Sequence, residues 1–290
     1  MSMHGGERFF AYARERYRVM LRRETGQPAP WTDDPILRQY RFCNVFREDD
    51  RVTRWIAENV RRPLRRDPRV LLAMYIARWF NRIPTLERLE GRAVSNTNLL
   101  LTWNRDYAER RLRDVKPLVT GAYMVKTPAG KNKLEGVLEC IEAFVPHAER
   151  VGHEMLAARS LQHATELLQQ FPYMGPFMAY EVVTDLRHTY LLDQATDILS
   201  WANPGPGAAR GLGRVLYGEP ERFDRHVKCQ VDEMQEAMQM LLARSRNPLI
   251  WPSGWPKWEM REVEHTLCEF DKYERARLGE GTPKQRYNGG

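Results

Sequence analysis

The stretch richest in chemistry runs over residues 171–216, FPYMGPFMAYEVVTDLRHTYLLDQATDILSWANPGPGAARGLGRVL. It begins with a Pro/Gly turn, residues 171–176. An apolar run from 177 to about 186 follows, with Glu181 and Asp185 four residues apart and so on one helical face. The glycine-rich loop 203–207 then opens a helix predicted from about Ala208, bearing Arg210 and Arg214. Backbone amides at a helix start and nearby guanidiniums suit an anion, so the three parts together predict an anionic ligand with a carboxylate beside it.

A second polar stretch, residues 38–55, spaces Arg38, Arg41, Asn44 and Arg47 three apart around the apolar Phe42, Val45 and Phe46. That spacing predicts one helical face or a tight turn, with Asn44 buried and hydrogen-bonded. Lys126, Lys131 and Lys133 ring a Pro-Ala-Gly turn, where they would touch phosphates or remain solvated. Trp251, Trp255 and Trp258 lie in another Pro/Gly-rich turn, suited to anchoring the last helix or stacking on a base.

The elements that must position these groups read as helices. Apolar positions recur at helical spacing over 9–23, 51–62, 70–80, 85–90, 102–115, 134–144, 153–169, 220–244 and 262–278. Residues 70–80 are apolar nearly all round, the pattern of a central helix. Strand-like alternation appears only at 119–133, where Tyr123, Val125 and the following turn predict a small hairpin. The fold class is therefore all-α with at most a small β-hairpin, one helical domain over 1–290, with 1–6 and 280–290 flexible.

Composition narrows the function. Lysine and arginine number 45 against 38 acids, a net charge of +7, and the balance suits nucleic acid or another polyanion. Cys43, Cys140, Cys229 and Cys268 are too far apart in sequence for a close-spaced zinc or iron–sulfur pattern, so no metal and no cofactor is expected. The chain has no apolar leader and no run of 18 apolar residues, which predicts a cytoplasmic protein with no membrane partner. It contains no Walker A sequence, no strand-led dinucleotide fingerprint, no serine elbow and no HExxH.

The turn 171–179 resembles a divergent helix-hairpin-helix of the DNA glycosylases. Five segments in order resemble the α-glutamyl/putrescinyl thymine pyrophosphorylases, the amino acid:DNA transferases of phage DNA hypermodification. These are RFCNVFREDDRVT (41–53), YIARWFNRI (75–83), FMAYEVVTDLRHT (177–189), WANPGPGAARGL (201–212) and CEFDKYERARLGEG (268–281). The likeness covers roughly residues 36–288. It implies a glycosylase-like helical fold in a bacterial host's cytoplasm. It also implies an enzyme that flips a 5-pyrophosphoryloxymethyl-uracil from double-stranded DNA and displaces pyrophosphate with the amine of a free amino acid or polyamine.

The resemblance implies roles for individual residues. Asp185 leads as base or electrostatic stabiliser, with Asp197 and Asp193 as alternatives nearer the usual glycosylase spacing from the hairpin glycine. Gly205, Gly207, Arg210 and Arg214 would hold pyrophosphate. Arg41, Asn44, Arg47, Tyr173, Gly175, Lys126 and Lys131 would engage the base or DNA, and Lys272 and Arg275 the DNA backbone or the donor's carboxylate. Tyr173 replaces the usual first hairpin glycine, and Phe177 stands where lyase-active glycosylases carry a lysine, which disfavours Schiff-base chemistry. The competing expectations are a monofunctional DNA glycosylase and a non-catalytic DNA-binding protein.

Overall fold

The computed structural model describes residues 3–91 and 98–287. The chain gathers into two compact units, one formed by Met1–Asp50 with Ile198–Gly290 and the other by Arg51–Asp197. In chain order the helices are α1 (Met3–Glu24), α2 (Pro35–Gln39), α3 (Arg51–Ile56), α4 (Val70–Phe80), α5 (Ile83–Glu90), α6 (Arg105–Leu112), α7 (Lys133–Glu142) and α8 (Ala148–Ala158). They continue as α9 (Leu161–Gln169), α10 (Pro176–Leu186), α11 (Pro206–Leu216), α12 (Lys228–Arg244) and α13 (Met260–Leu278). The fold is all-α. Among the described residues the one β-type pairing is a single antiparallel bridge between Tyr40 and Arg286.

In the second unit α4 is the buried axis. It packs against α10, and its Tyr75 ring stacks on Phe144 at a centroid distance of 3.9 Å. Asn81 ends α4 in the left-handed region with φ 44°, a state that Asn tolerates better than most residues. Between α3 and α4 the chain widens into a π turn, Ala57–Arg61, which carries Arg61 inward.

The first unit is built on α11 against α13. Glycines make that approach possible. A Cβ on Gly211 would lie 2.2 Å from the Leu267 carbonyl oxygen, and one on Gly207 2.5 Å from the Cys268 sulfur. Around the pair, Phe9, Phe10, Trp258 and Phe270 form an aromatic core with edge-on and tilted ring contacts of 5.0–5.9 Å. Trp251 and Trp258 are buried in this unit, so these two indoles of the Pro/Gly-rich turn serve packing.

Several expectations need correction. Residues 3–6 are helical rather than loose, because Gly5 lies against the Val215 carbonyl, where a Cβ would sit at 2.0 Å. Residues 119–133 form no hairpin. Lys133 instead donates to the Val125 carbonyl at 2.7 Å and the Thr127 hydroxyl at 3.1 Å, which folds the loop onto the start of α7. The helix expected over 153–169 is two helices, broken at Arg159 with φ 49° and restarted by the Ser160 cap. The helix expected from 220 begins at Lys228, because the Asp224 carboxylate accepts the His226 N–H and holds a turn there.

Replacing Gly211 with alanine should force α11 off α13 and cost about 1–3 kcal/mol. Gly152 on α8 has only ordinary contacts, the nearest at 3.7 Å. Gly152→Ala should be neutral or stabilise by roughly 0.5–1 kcal/mol, read from denaturant melts of both variants.

Candidate nucleic-acid interface

The polar centre of the second unit is Asp185 on α10, which is 1 % exposed. Arg61 Nη1 donates to its Oδ1 at 3.0 Å and Arg78 Nε to its Oδ2 at 2.5 Å. Arg78 also donates to Asn81 Oδ1 at 2.9 Å and Thr53 Oγ1 at 3.2 Å, and it lies 4.0 Å from Glu181. Two buried guanidiniums therefore occupy both oxygens of Asp185, which ties α10 to α4 and the π turn. Asp197 is spent differently. Its Oδ1 accepts the Leu161 N–H at 2.8 Å, and its Oδ2 accepts the Ser160 hydroxyl at 2.7 Å and the Gln162 N–H at 3.0 Å, so it caps α9. Asp193 is half-buried, and among the described residues it has one long ion pair, to Arg65 at 3.8 Å.

The turn before α10 carries one non-glycine residue in the left-handed region. Tyr173 takes φ 58°, the left-handed region that glycine enters at no steric cost, and its side chain is exposed. Gly175 is the N-cap residue of α10. Lys126 is exposed, and Lys131 pairs with Glu139.

In the first unit the pivotal acid is Asp271 on α13, fully buried. Arg210 Nε donates to its Oδ2 at 3.0 Å and Arg214 Nε to its Oδ1 at 3.0 Å, while Arg275 Nε lies 3.4 Å from Oδ2. Arg214 also pairs with Glu280. The N–H of Gly205 donates to Glu264 Oε1 at 3.3 Å. The loop-to-helix junction expected to receive an anion is thus met by the protein's own carboxylates, and Gly207 serves the close approach of α13.

Asn44 is half-buried and fully engaged. Its side chain accepts from Arg16 at 2.6 Å and donates to the Asp49 carbonyl at 2.9 Å. Its N–H donates to Asp50 Oδ1 at 3.2 Å and its carbonyl accepts from His265 Nε2 at 3.1 Å. Arg47 opens the short 3-10 turn Arg47–Asp49 beside it. The three-residue spacing of Arg38, Arg41, Asn44 and Arg47 is not one helical face, since α2 ends at Gln39 and an irregular segment follows.

Asn44 also orients two members of a group that could hold a metal. Cys43, Asp50 and His265 bring a sulfur, a carboxylate oxygen and a ring nitrogen within 4.8 Å of one another, a donor set suited to a borderline cation such as zinc. Beside it, the Cys43 N–H donates to Glu269 at 3.0 Å, and Lys272 pairs with the same carboxylate. Burial pushes Glu269 up. The charges of Lys272 and His265 and the hydrogen bonds from Lys272 and Cys43 outweigh that and hold it below its ordinary value.

Sequence reasoning picked out Arg41 but missed the surface to which it belongs. A cleft of about 680 Å³ in the first unit is lined by Arg23, Arg38, Arg41 and Arg286 together with Trp31 and Tyr287. No aspartate or glutamate lines it. The Arg23 guanidinium lies 5.2 Å from the Trp31 ring centre and 5.5 Å from that of Tyr287, and Arg41 lies 5.2 Å from Tyr287. Among the described residues none of these four arginines forms an ion pair, whereas Arg61, Arg78, Arg214 and Arg261 all do. Four unneutralised guanidiniums on one cleft make it the candidate interface for a polyanion. Only the clustering of arginine with aromatic residues near position 40 hinted at it, since Arg286 and Tyr287 are some 245 positions away in sequence.

Residues 5–282 match the family described as the 5-hmdU DNA kinase helical domain. The chain belongs to that family. A 5-hmdU DNA kinase of Bacillus phage SP10 is 27 % identical over 288 aligned residues, covering 91 % of this chain and 44 % of the relative. The chain thus spans less than half the length of that relative. No solved structure matches it. No helix among the described residues is long and apolar enough to cross a membrane.

Asp185→Asn should leave Arg61 and Arg78 buried without full compensation and cost about 3–5 kcal/mol, whereas Asp193→Asn should stay within about 0.5 kcal/mol, both read from equilibrium unfolding. Glu269 has a depressed folded pKa, so its contribution is present above the ordinary carboxylate value of about 4.3 and is lost as pH falls below it. Glu269→Gln should therefore flatten the acid limb of a melting-temperature-against-pH curve.

Proposed function

We propose that this chain is the DNA-engaging helical portion of a phage enzyme that modifies the 5-hydroxymethyl group of uracil in DNA. The cleft carries the reading. Four guanidiniums free of carboxylate partners face solvent in a member of the 5-hmdU DNA kinase helical-domain family. Phosphate contacts supply most of a protein's affinity for DNA, and arginine forks suit phosphate oxygens. A kinase acting on 5-hydroxymethyl-uracil also needs a phosphoryl donor. On this reading the helical residues hold and present the DNA.

The resemblance to the pyrophosphate-displacing transferases shares the same DNA-holding role and differs in the reaction at the methylene group. If this chain performs that displacement, we infer that Asp193, the third of the three expected acids, takes a proton from the attacking amine, since Asp185 holds two arginines and Asp197 caps α9. Nucleoside mass spectrometry separates the two reactions. One incubation uses 5-hydroxymethyl-uracil DNA with ATP, the other 5-pyrophosphoryloxymethyl-uracil DNA with amino acids and polyamines. A phosphorylated base marks the first reaction, an amine adduct with released pyrophosphate the second.

The DNA-engaging role itself predicts duplex binding that weakens with salt, with a slope of about −0.9 in log K against log salt for each phosphate neutralised. Replacing Arg38 and Arg41 together with glutamate should weaken binding and reduce the slope by about two. A duplex affinity unchanged by both salt and the double replacement would sink this reading.

A further inference from the structure

We propose that the arginine–aromatic cleft is a nucleotide site, holding phosphates on Arg23, Arg38, Arg41 and Arg286 and a base against Trp31 and Tyr287. Where the nucleotide belongs to a DNA strand, this rests on the DNA-engaging role proposed above and names the part of the DNA that enters. The same chemistry describes a free nucleotide, and the experiment below separates the two sources.

Room is the first argument. At about 680 Å³ the cleft falls within the range of small-molecule sites, and the three other cavities described measure about 310, 270 and 230 Å³. Charge is the second. The cleft gathers Arg23, Arg38, Arg41 and Arg286 without an acid in its lining, whereas carboxylates lie against the buried Arg78, Arg214 and Arg261. Like charges held together repel, so their juxtaposition favours an anion that spans several of them.

The rings are the third argument. Contact with the outside of a duplex needs only cations. Trp31 and Tyr287 sit inside the cleft instead, half-buried, with ring centres 5.5 Å apart and inclined at 61°. Planar guanidiniums already lie against them, which orients the forks and shows that the ring faces accept a flat cationic partner. A nucleobase is a flat partner of the same thickness, and stacking on aromatic side chains is how unpaired bases are held.

The cleft is also a built feature. Its far wall is the C-terminal segment, strapped alongside residues 39–41. Arg41 N–H donates to the Gln285 carbonyl at 3.0 Å and Tyr287 N–H to the Gln39 carbonyl at 3.1 Å. Arg286 lies over the Tyr40 ring at 5.2 Å. The backbone pairing thereby sets two cleft residues, Arg286 and Tyr287, beside Arg41.

The test uses the full chain and a dye-labelled thymidine trinucleotide, followed by fluorescence anisotropy, with ATP and inorganic pyrophosphate as competitors. Duplex binding is measured in parallel. The paired replacement Arg38→Ala with Arg41→Ala, and separately Trp31→Ala, should each weaken trinucleotide binding about tenfold or more. Arg113→Ala, at an exposed arginine of the other unit, should leave it unchanged. Trp31→Ala should spare the pyrophosphate competition, because pyrophosphate has no base. Tight trinucleotide binding with weak ATP competition supports a strand nucleotide, and the reverse supports a free one. Duplex binding with no trinucleotide or ATP binding, or with trinucleotide binding indifferent to the cleft variants, overturns the nucleotide site while leaving the DNA-engaging role standing. Failure to bind duplex, trinucleotide and ATP alike overturns both.

Discussion

A buried guanidinium needs buried acceptors, above all carboxylates, and this requirement organises both units. Arginine cannot shed its proton to escape a low-dielectric interior, so Arg61, Arg78, Arg214 and Arg261 each bring an acid with them, while Arg16 is held by the Phe42 carbonyl and the Asn44 side chain. In the second unit that acid is Asp185, holding Arg61 and Arg78 at the junction of α10, α4 and the π turn. In the first it is Asp271, which gathers Arg210, Arg214 and Arg275 where α11 meets α13. Glycines along α11 let the two helices approach until backbone touches backbone, which keeps these charged groups in reach of one another. Removing either acid would leave arginines stranded rather than merely delete a contact.

Against that background the cleft at Arg23, Arg38, Arg41 and Arg286 gathers four arginines with no acid in its lining. Surface guanidiniums cost little alone, but four around one cleft with no acid in its lining create a local positive field. A polyanion would neutralise it, and the family described as the 5-hmdU DNA kinase helical domain is what makes DNA the polyanion proposed above. Asp185 and Asp197, and the arginines expected to clamp pyrophosphate, are engaged by internal pairing and capping. The four cleft arginines, which lack carboxylate partners among the described residues, lie on a different surface.

Much of the fold was legible in the chain. Residues 70–80, apolar all round, became the buried axis α4, and the last helix was placed within two residues of its start. Misreadings arose where a side-chain hydrogen bond within a few residues overrode the apolar pattern. Lys133 folded 125–127 into a loop where alternation suggested strands, and Asp224 held a turn where the apolar stripe suggested helix. Within the candidate sites, residue types were read well and partners poorly. Asp185 is central, but as the holder of two arginines. Asn44 does need several partners, and it finds Arg16, Asp49, Asp50 and His265.

By itself the sequence determined the helical class, the basic balance and the identity of the charged and aromatic residues that matter. Those properties depend on composition and on periodicity within a dozen residues. Only the tertiary structure decided which charges cancel and which remain. Asp271 could not be matched to Arg210 and Arg214 from spacing, nor Arg286 and Tyr287 placed beside Arg41, because each pairing closes a loop of tens to hundreds of residues. Coulombic and stacking interactions act over a few ångströms of space and carry no trace in sequence separation, so a site made by uncancelled charge is visible only after the chain has folded.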